Sequence, residues 1–446
     1  MSKPTFSPEL LSPAGSLEAM RMAFAYGADA VYAGQPRYSL RVRNNSFDLA
    51  NLAIGIAEAH AQGKKFYVVV NIAPHNAKLK TFVADMAPVI ALQPDALIVS
   101  DPGIVMLLRE HYPEQALHLS VQANTVNWAA VKFWQQQGVS RVILSRELEV
   151  KEIAEIRHQC PDMELEVFVH GALCMAYSGR CLLSGYINKR DPNQGACTNA
   201  CRWPYQVHDA AEDAVGQFQP IDRPVLLEEP QRPGELMLMD EDIHGTYIMN
   251  SKDLRGVQHV QALAELGIHS LKIEGRTKSP YYVARTAQVY RQAIADACAG
   301  RPFDPQLLAD LDGMANRGFT EGFLRRHVPS ELQNYQTSHS QGEQVLVGAV
   351  LDSDGTTALI DVKNSFASDD NLILMKPSGN IRFRAGQLFN RAGEQVARAP
   401  GSGHQVSLQL PCGLARAEQS VALLVKELPP PPAAIAIKEV SYASGH

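Results

Sequence analysis

Short apolar runs recur along the first part of the chain, and helix-like stretches separate most of them. The runs are Glu9–Ser12, Ala30–Ala33, Phe66–Asn71, Ala96–Ser100, Leu117–Val121, Arg141–Leu144, Leu165–Val169 and Ser270–Ile273. They are rich in Val, Ile and Leu, and several are apolar on both faces. Strands of a parallel sheet covered by helices read this way. Helical periodicity fills stretches such as Ser16–Tyr26, Leu49–Gln62, Ala129–Gln137 and Lys151–His158. Strand–helix alternation means parallel strands joined by right-handed crossovers. Eight such strands predict an α/β fold of the (β/α)8 TIM-like barrel type over 1–330; an open doubly wound sheet is the alternative.

The repeat has one long gap, from Gly171 to about 269. It reads as an insertion between the seventh and eighth barrel strands. Within it the pattern predicts a hairpin of Leu236–Met239 with Thr246–Asn250, then a helix over Val257–Leu266. Tyr247–Met249 is an alternative barrel strand. Over 343–428 the pattern turns to period two, broken by turns such as Ser353-Asp354-Gly355 and Pro377-Ser378-Gly379. That predicts a small antiparallel β-barrel of six or seven strands without helices. Pro429–Pro432 opens an extended Pro-rich tail over 429–446.

Composition narrows the class. Of 446 residues, 46% are hydrophobic and 20% charged, as in an ordinary globular chain. The formal net charge of −6 excludes a uniformly basic nucleic-acid binder, but not a local basic patch. No run of 18 apolar residues occurs, so no membrane helix is expected. Met1–Glu9 carries one Lys and no apolar core, so no secretory signal is expected there and a cytoplasmic location is. The odd count of seven cysteines fits the same reducing compartment.

In a (β/α)8 barrel, chemistry sits on the loops after the strand C-termini. Here those positions hold Arg37, Asn71, Gln122, Asn124, Ser145-Arg146-Glu147, His170, Glu274 and Arg276. Turns beginning at strand ends explain any one of them; together they suggest a polar mouth for an anionic ligand. His170 and Glu274 are the candidate acid–base residues, although His170 also reads as a satisfied strand-end histidine. Glu166 lies inside the seventh strand. A carboxylate buried there needs a partner, and Lys272 in the eighth strand is a candidate.

Four cysteines, Cys174, Cys181, Cys197 and Cys201, are separated by six, fifteen and three residues. Four thiolates suit a four-iron, four-sulfur (4Fe-4S) cluster or a tetrahedral zinc ion. The wide first spacing favours the cluster, with zinc or buried free thiols as alternatives. Cys160, Cys298 and Cys412 read as packing residues. Basic residues group at Arg37, Arg41 and Arg43, at Lys189 and Arg190, and at Arg276 and Lys278, beside aromatics such as Tyr38, Tyr186 and Tyr282. Arginine with aromatic rings suits a splayed RNA base and its phosphates; solvated loop charge is the plainer account.

The stretch Glu166–Ser184 carries the signature of the collagenase-like (U32) peptidase family; the resemblance covers residues 9 to about 330, and the C-terminal β-domain is similar to one found in several members. Leu10–Gly15 with Gly27–Gly34 also resembles the family's opening, and Leu271–Arg276 is similar to the family too. Within it, Tyr32–Asn45, Val68–Asn76 and Gly185–Gln194 resemble the members that hydroxylate C5 of the wobble uridine of tRNA using prephenate. The resemblance implies an enzyme that forms 5-hydroxyuridine in the tRNA anticodon loop, with prephenate as co-substrate. It also implies a 4Fe-4S cluster on Cys174, Cys181, Cys197 and Cys201. Arg41, Arg43 or Arg276 would then clamp the two prephenate carboxylates, with Arg37, Asn71, Gln122 and Asn124 as further substrate-binding candidates. Peptidase activity is the second expectation, although neither a Ser–His–Asp arrangement nor HExxH is apparent. A non-enzymatic RNA-binding protein with a structural metal is the third.

Overall fold

The computed structural model describes residues 7–40, 46–174, 177–178, 180, 191–194, 252–325 and 342–428, with short strands placed between 209 and 246. Contacts divide the chain into two units, Met1–Asp312 with Asn316–Gln341, and Gly313–Ala315 with Gly342–His446.

In the first unit the apolar runs are parallel strands: β1 (Glu9–Pro13), β2 (Ala30–Gly34), β3 (Lys65–Val70), β4 (Ala96–Val99), β5 (Leu117–Leu119), β6 (Arg141–Ile143), β7 (Glu164–Ala172) and β8 (Ser270–Ile273). They pair in order, and β8 closes the ring by pairing in parallel with both β7 and β1. The barrel is closed, and the open sheet is excluded. Strand β5 ends sooner than its apolar run because Ser120 opens a 3-10 turn, its hydroxyl accepting from the Gln122 amide.

The covering helices are α1 (Leu17–Ala25), α2 (Leu49–Ala61), α3 (Asn76–Ile90), α4 (Pro102–His111), α5 (Trp128–Gln136), α6 (Val150–Gln159), α7 (Val260–Glu265) and α8 (Pro280–Ala299). Their starts are written locally. Ser16, Asp48, Asp101, Asn127 and Ser279 each accept a first-turn amide proton, and Pro follows directly in α4 and α8. Helix α8 lies deepest, with Tyr281, Tyr282, Val283, Ala287, Tyr290 and Ile294 among its buried residues.

The insertion departs from the expected pairing. Leu236–Leu238 pairs antiparallel with Leu226–Glu228, and Glu241–Asp242 pairs with Gly245–Thr246. The expected partner Thr246–Asn250 lies largely outside the described residues, as does Tyr247–Met249. A strand absent from the sequence reading, Asp253–Arg255, runs antiparallel to the end of β7, from Ala172 to His170, and parallel to Phe319–Thr320. It extends the sheet beyond the ring.

The second unit is antiparallel. Eight strands form one sheet, centred on Leu423–Glu427, Gln344–Ser353 and Thr357–Val362; Phe366–Ala367 and Arg398–Ala399 form a separate pair. That is more strands than expected, because several are only two or three residues long. One short helix, Arg416–Gln419, interrupts them. Val347, Ile360, Phe366, Leu374, Leu408 and Leu424 are buried in its core.

Candidate active site at the barrel mouth

Strand alternation sends Glu9, Tyr67, His118, Arg141, Glu166 and Lys272 into the barrel. Glu166 is fully buried and receives Lys272 Nζ at 2.8 Å and Arg141 Nη1 at 3.3 Å. The predicted Glu166–Lys272 neighbourhood is therefore present. Arg141 also holds Glu9 at 2.6 Å and Glu164 at 2.8 Å, and the Tyr67 hydroxyl donates to Glu9 at 2.7 Å. Burial alone would raise the Glu9 carboxyl; the Arg141 charge and hydrogen bond, with the Tyr67 bond, hold it below the ordinary range. Desolvation lowers the Lys272 ammonium despite Glu166. His118 packs edge-on to Tyr67 at 4.7 Å, its Nδ1 has no partner, and burial plus the Arg141 charge push it well below the usual histidine range. A cleft of about 520 Å³ lined by Lys65, Tyr67, His118, Arg141 and Glu164 opens at this end. It lies at the strand N-termini, the end of such barrels that serves stability.

The opposite end, at the strand C-termini, gathers most of the described candidates. Asn71 Nδ2 donates to Ser120 Oγ at 3.1 Å, and its Oδ1 accepts from the Leu40 amide at 3.2 Å. It therefore ties the β2, β3 and β5 loops together. Asn124 adopts a left-handed conformation (φ 51°) and donates to Gln122 O and Ser178 O. The Gln122 Oε1, Asn124 Oδ1, Thr125 Oγ1 and Ser39 Oγ atoms are buried without a hydrogen-bond partner among the described residues. Each such atom costs about 1–3 kcal/mol of desolvation unless a ligand or water supplies a donor.

Arg276 donates to Leu40 O at 2.7 Å and packs beside the Tyr32 ring. A side chain at position 34 would strike Arg276 and Ser39, so Gly34 gives that guanidinium its space. Glu274 makes no hydrogen bond or ion pair through its carboxylate to a described residue. It acts on the hydroxyls of Tyr32 and Tyr282; for both, burial is the larger cause of a raised pKa and the Glu274 charge adds to it. Gly171, at φ 108°, lets the end of β7 pass against the Glu274 backbone, where a Cβ would lie 2.6 Å from its carbonyl oxygen.

Two candidates sit elsewhere. His170 is 1% exposed, among Tyr282, Tyr290 and Phe319 at 5.5 to 5.8 Å, with the Tyr290 hydroxyl 3.3 Å from its Nδ1. Desolvation drops its pKa to about 3. This placement makes it a neutral packing residue, and the proton-carrier reading finds no geometric support. Arg37 pairs with Asp85 of α3 at 2.6 Å, and the Tyr38 hydroxyl donates to the same carboxylate. It braces the β2 loop from outside. Arg41, Arg43, Cys181, Cys197 and Cys201 lie outside the described residues. Cys174 is a free, exposed thiol two residues beyond β7; Cys160 is buried.

The sequence reading passed over Arg146 as one polar strand-end residue among many. Its guanidinium lies 4.0 Å over the Phe168 ring and donates to Ala172 O at 3.2 Å. The available signal was an Arg placed directly after a barrel strand.

A closed (β/α)8 barrel with a polar, incompletely satisfied mouth and a cysteine-bearing insertion defines the class of the protein. Residues 15–334 match Peptidase family U32, and residues 342–419 match Peptidase family U32 C-terminal domain. The chain belongs to Peptidase family U32. It is 62% identical over 442 residues to tRNA hydroxylation protein P of Escherichia coli (strain K12), covering 94% of this chain and 97% of that one. It is 59% identical over 448 residues to the protein of the same name in Haemophilus influenzae (strain ATCC 51907 / DSM 11121 / KW20 / Rd), covering 95% and 97%. It is also 34% identical over 327 residues to 23S rRNA 5-hydroxycytidine C2501 synthase of Escherichia coli (strain K12), covering 73% of this chain and 44% of that one. No helix among the described residues is long and apolar enough to cross a membrane.

Proposed function

We propose that this protein is a tRNA-hydroxylating enzyme that replaces the C5 hydrogen of the wobble uridine by a hydroxyl group, with prephenate as co-substrate. The observation that carries the reading is the near full-length likeness, at 62% identity, to a protein named for tRNA hydroxylation. A relative named for 5-hydroxycytidine synthesis in rRNA fits the same chemistry, hydroxylation of a pyrimidine at C5. A tRNA substrate fits a cytoplasmic protein.

The mouth supports this reading in its own terms. C5 is shielded in a stacked anticodon loop, so the base must swing out to be reached. The unpartnered Gln122 Oε1 and Asn124 Oδ1 are buried acceptors that a uracil N3–H can satisfy. Asn71 fixes three loops around them. Glu274, whose carboxylate makes no hydrogen bond to a described residue, is placed to take or hold a proton.

Cys174, Cys181, Cys197 and Cys201 would hold the 4Fe-4S cluster. The fit rests on Cys174, whose free thiol is exposed at the mouth end of β7, whereas Cys160 is buried. When bound, such a cluster supplies one-electron transfer. The peptidase reading gains no nucleophile–base pair among the described residues.

The test compares tRNA nucleosides by mass spectrometry from cells lacking this chain, cells complemented with it, and cells complemented with Cys174→Ala. 5-Hydroxyuridine restored by the wild type and absent with the variant is expected. Hydroxyuridine that persists when the chain is removed overturns the proposal.

A further inference from the structure

Among the described residues, Arg146 is a second arginine at a strand C-terminus beside Arg276. Arg146 follows β6 and Arg276 follows β8, with β7 between them in the ring. Each guanidinium donates to a backbone carbonyl and packs on an aromatic ring. Arg146 uses Ala172 O and Phe168, and Arg276 uses Leu40 O and Tyr32. Between the two rings sits Lys272 Nζ, 4.3 Å from the Tyr32 centroid and 5.4 Å from the Phe168 centroid. Glu166 neutralises Lys272 from below, so the arginines are not needed for that carboxylate. Arg146 has no ion pair with any described carboxylate, although it is half-buried, where a lone charge is costly. The charges of Arg146 and Arg276 both act on the Tyr32 hydroxyl, so the two converge on one place. Among the described residues, Glu274 is the carboxylate that acts with them on Tyr32, beside Glu166, which is taken up by Lys272 and Arg141.

We propose that Arg146 and Arg276 form a two-point clamp for a small dicarboxylic acid at the barrel mouth, with Arg146 holding the second carboxylate. A planar guanidinium held in place by a ring and a carbonyl still offers N–H groups to a carboxylate, and two of them match a dianion better than one. The clamp rests on the reading of prephenate as co-substrate, because prephenate carries two carboxylates, one on its ring and one at the end of a pyruvyl side chain. It adds a residue to that reading and a reason for preferring diacids over monoacids.

The experiment is calorimetric titration of the whole protein, purified without oxygen, with prephenate and with the monocarboxylate phenylpyruvate. The wild type is expected to bind prephenate more tightly than phenylpyruvate. Arg146→Gln is expected to weaken prephenate by about ten- to a hundredfold and phenylpyruvate by much less. Arg146→Lys, which keeps the charge and the stem over Phe168, is expected to fall between and remains the test if the Gln variant does not fold. Wild type that binds prephenate, with both variants binding it equally well, overturns the clamp and leaves the function standing. Wild type that does not bind prephenate overturns the co-substrate reading and the clamp with it. A variant that keeps prephenate affinity but loses affinity for tRNA assigns Arg146 to an RNA phosphate and overturns the clamp.

Discussion

At the strand N-termini, Arg141 holds three carboxylates; at the strand C-termini, Arg146 holds none among the described residues. The same contrast runs through the neutral groups. Below, Tyr67 and Ser270 both donate to Glu9; the described exceptions are His118 Nδ1, kept neutral by desolvation, and Arg109 Nε. Above, amide and hydroxyl oxygens of Gln122, Asn124, Thr125 and Ser39 stay buried without donors. One barrel thus carries a self-satisfied end and an unsatisfied end. The first holds the ring together; the second spends stability on groups that await a ligand.

The contrast can be broken at its strongest point. Lys272→Met leaves Glu166 buried with Arg141 as its remaining cation. A loss of about 3 kcal/mol is expected in urea unfolding, because half of a buried pair is worse than none. Adding Glu166→Leu should recover much of it, and failure to recover would mean that Lys272 matters through packing.

Acid sharpens the contrast next. His170 and His118 have lowered folded-state values, so the unfolded chain binds their protons first. Their contribution is complete above the ordinary histidine value of 6.5 and is lost as pH falls toward about 3 for His170. Each should cost about 1.4 kcal/mol per pH unit below 6.5. Denaturation between pH 7 and 5 measures the slope, and His170→Phe should remove its share.

At the unsatisfied end the sign differs. Gln122→Leu removes a buried acceptor that has no partner, so stability should stay level or rise by up to about 1 kcal/mol. Hydroxyuridine in tRNA should nonetheless fall. A large loss of stability would show that Gln122 is structural. The smallest effect belongs to the Arg37–Asp85 pair, half-exposed on its Arg side. Arg37→Ala should cost less than about 1 kcal/mol in thermal unfolding.

All eight barrel strands were legible as apolar runs because helices cover their outer faces, and hydrophobicity on both faces leaves a continuous signal. The Glu166–Lys272 pair was legible for a related reason, since charge inside such a run has nowhere to go but to another charge. The facing of His170 was not legible. A bulge on β7, where Phe168 and His170 pair with the consecutive Lys272 and Ile273 of β8, breaks the alternation there, and His170 packs among Tyr282, Tyr290 and Phe319. The partner of Arg37 was equally hidden, because Asp85 lies 48 residues away. Asp253–Arg255 is three residues long, below any periodicity. Arg146 gave the residue type and position, but not the ring beneath it.

That short strand changes how the insertion can vary. The segment leaving β7 and the segment returning toward β8 are hydrogen-bonded neighbours, through Ala172 with Asp253, Gly171 with Leu254 and His170 with Arg255. The ends of the excursion over 173–252 are therefore already brought together at its base. Lengthening a loop whose ends are joined adds only a logarithmic entropic cost, about 0.6 kcal/mol for each doubling. Residues can be gained or lost there with little consequence for the ring, which makes this the place where relatives of this chain can diverge in length while their barrels stay alike.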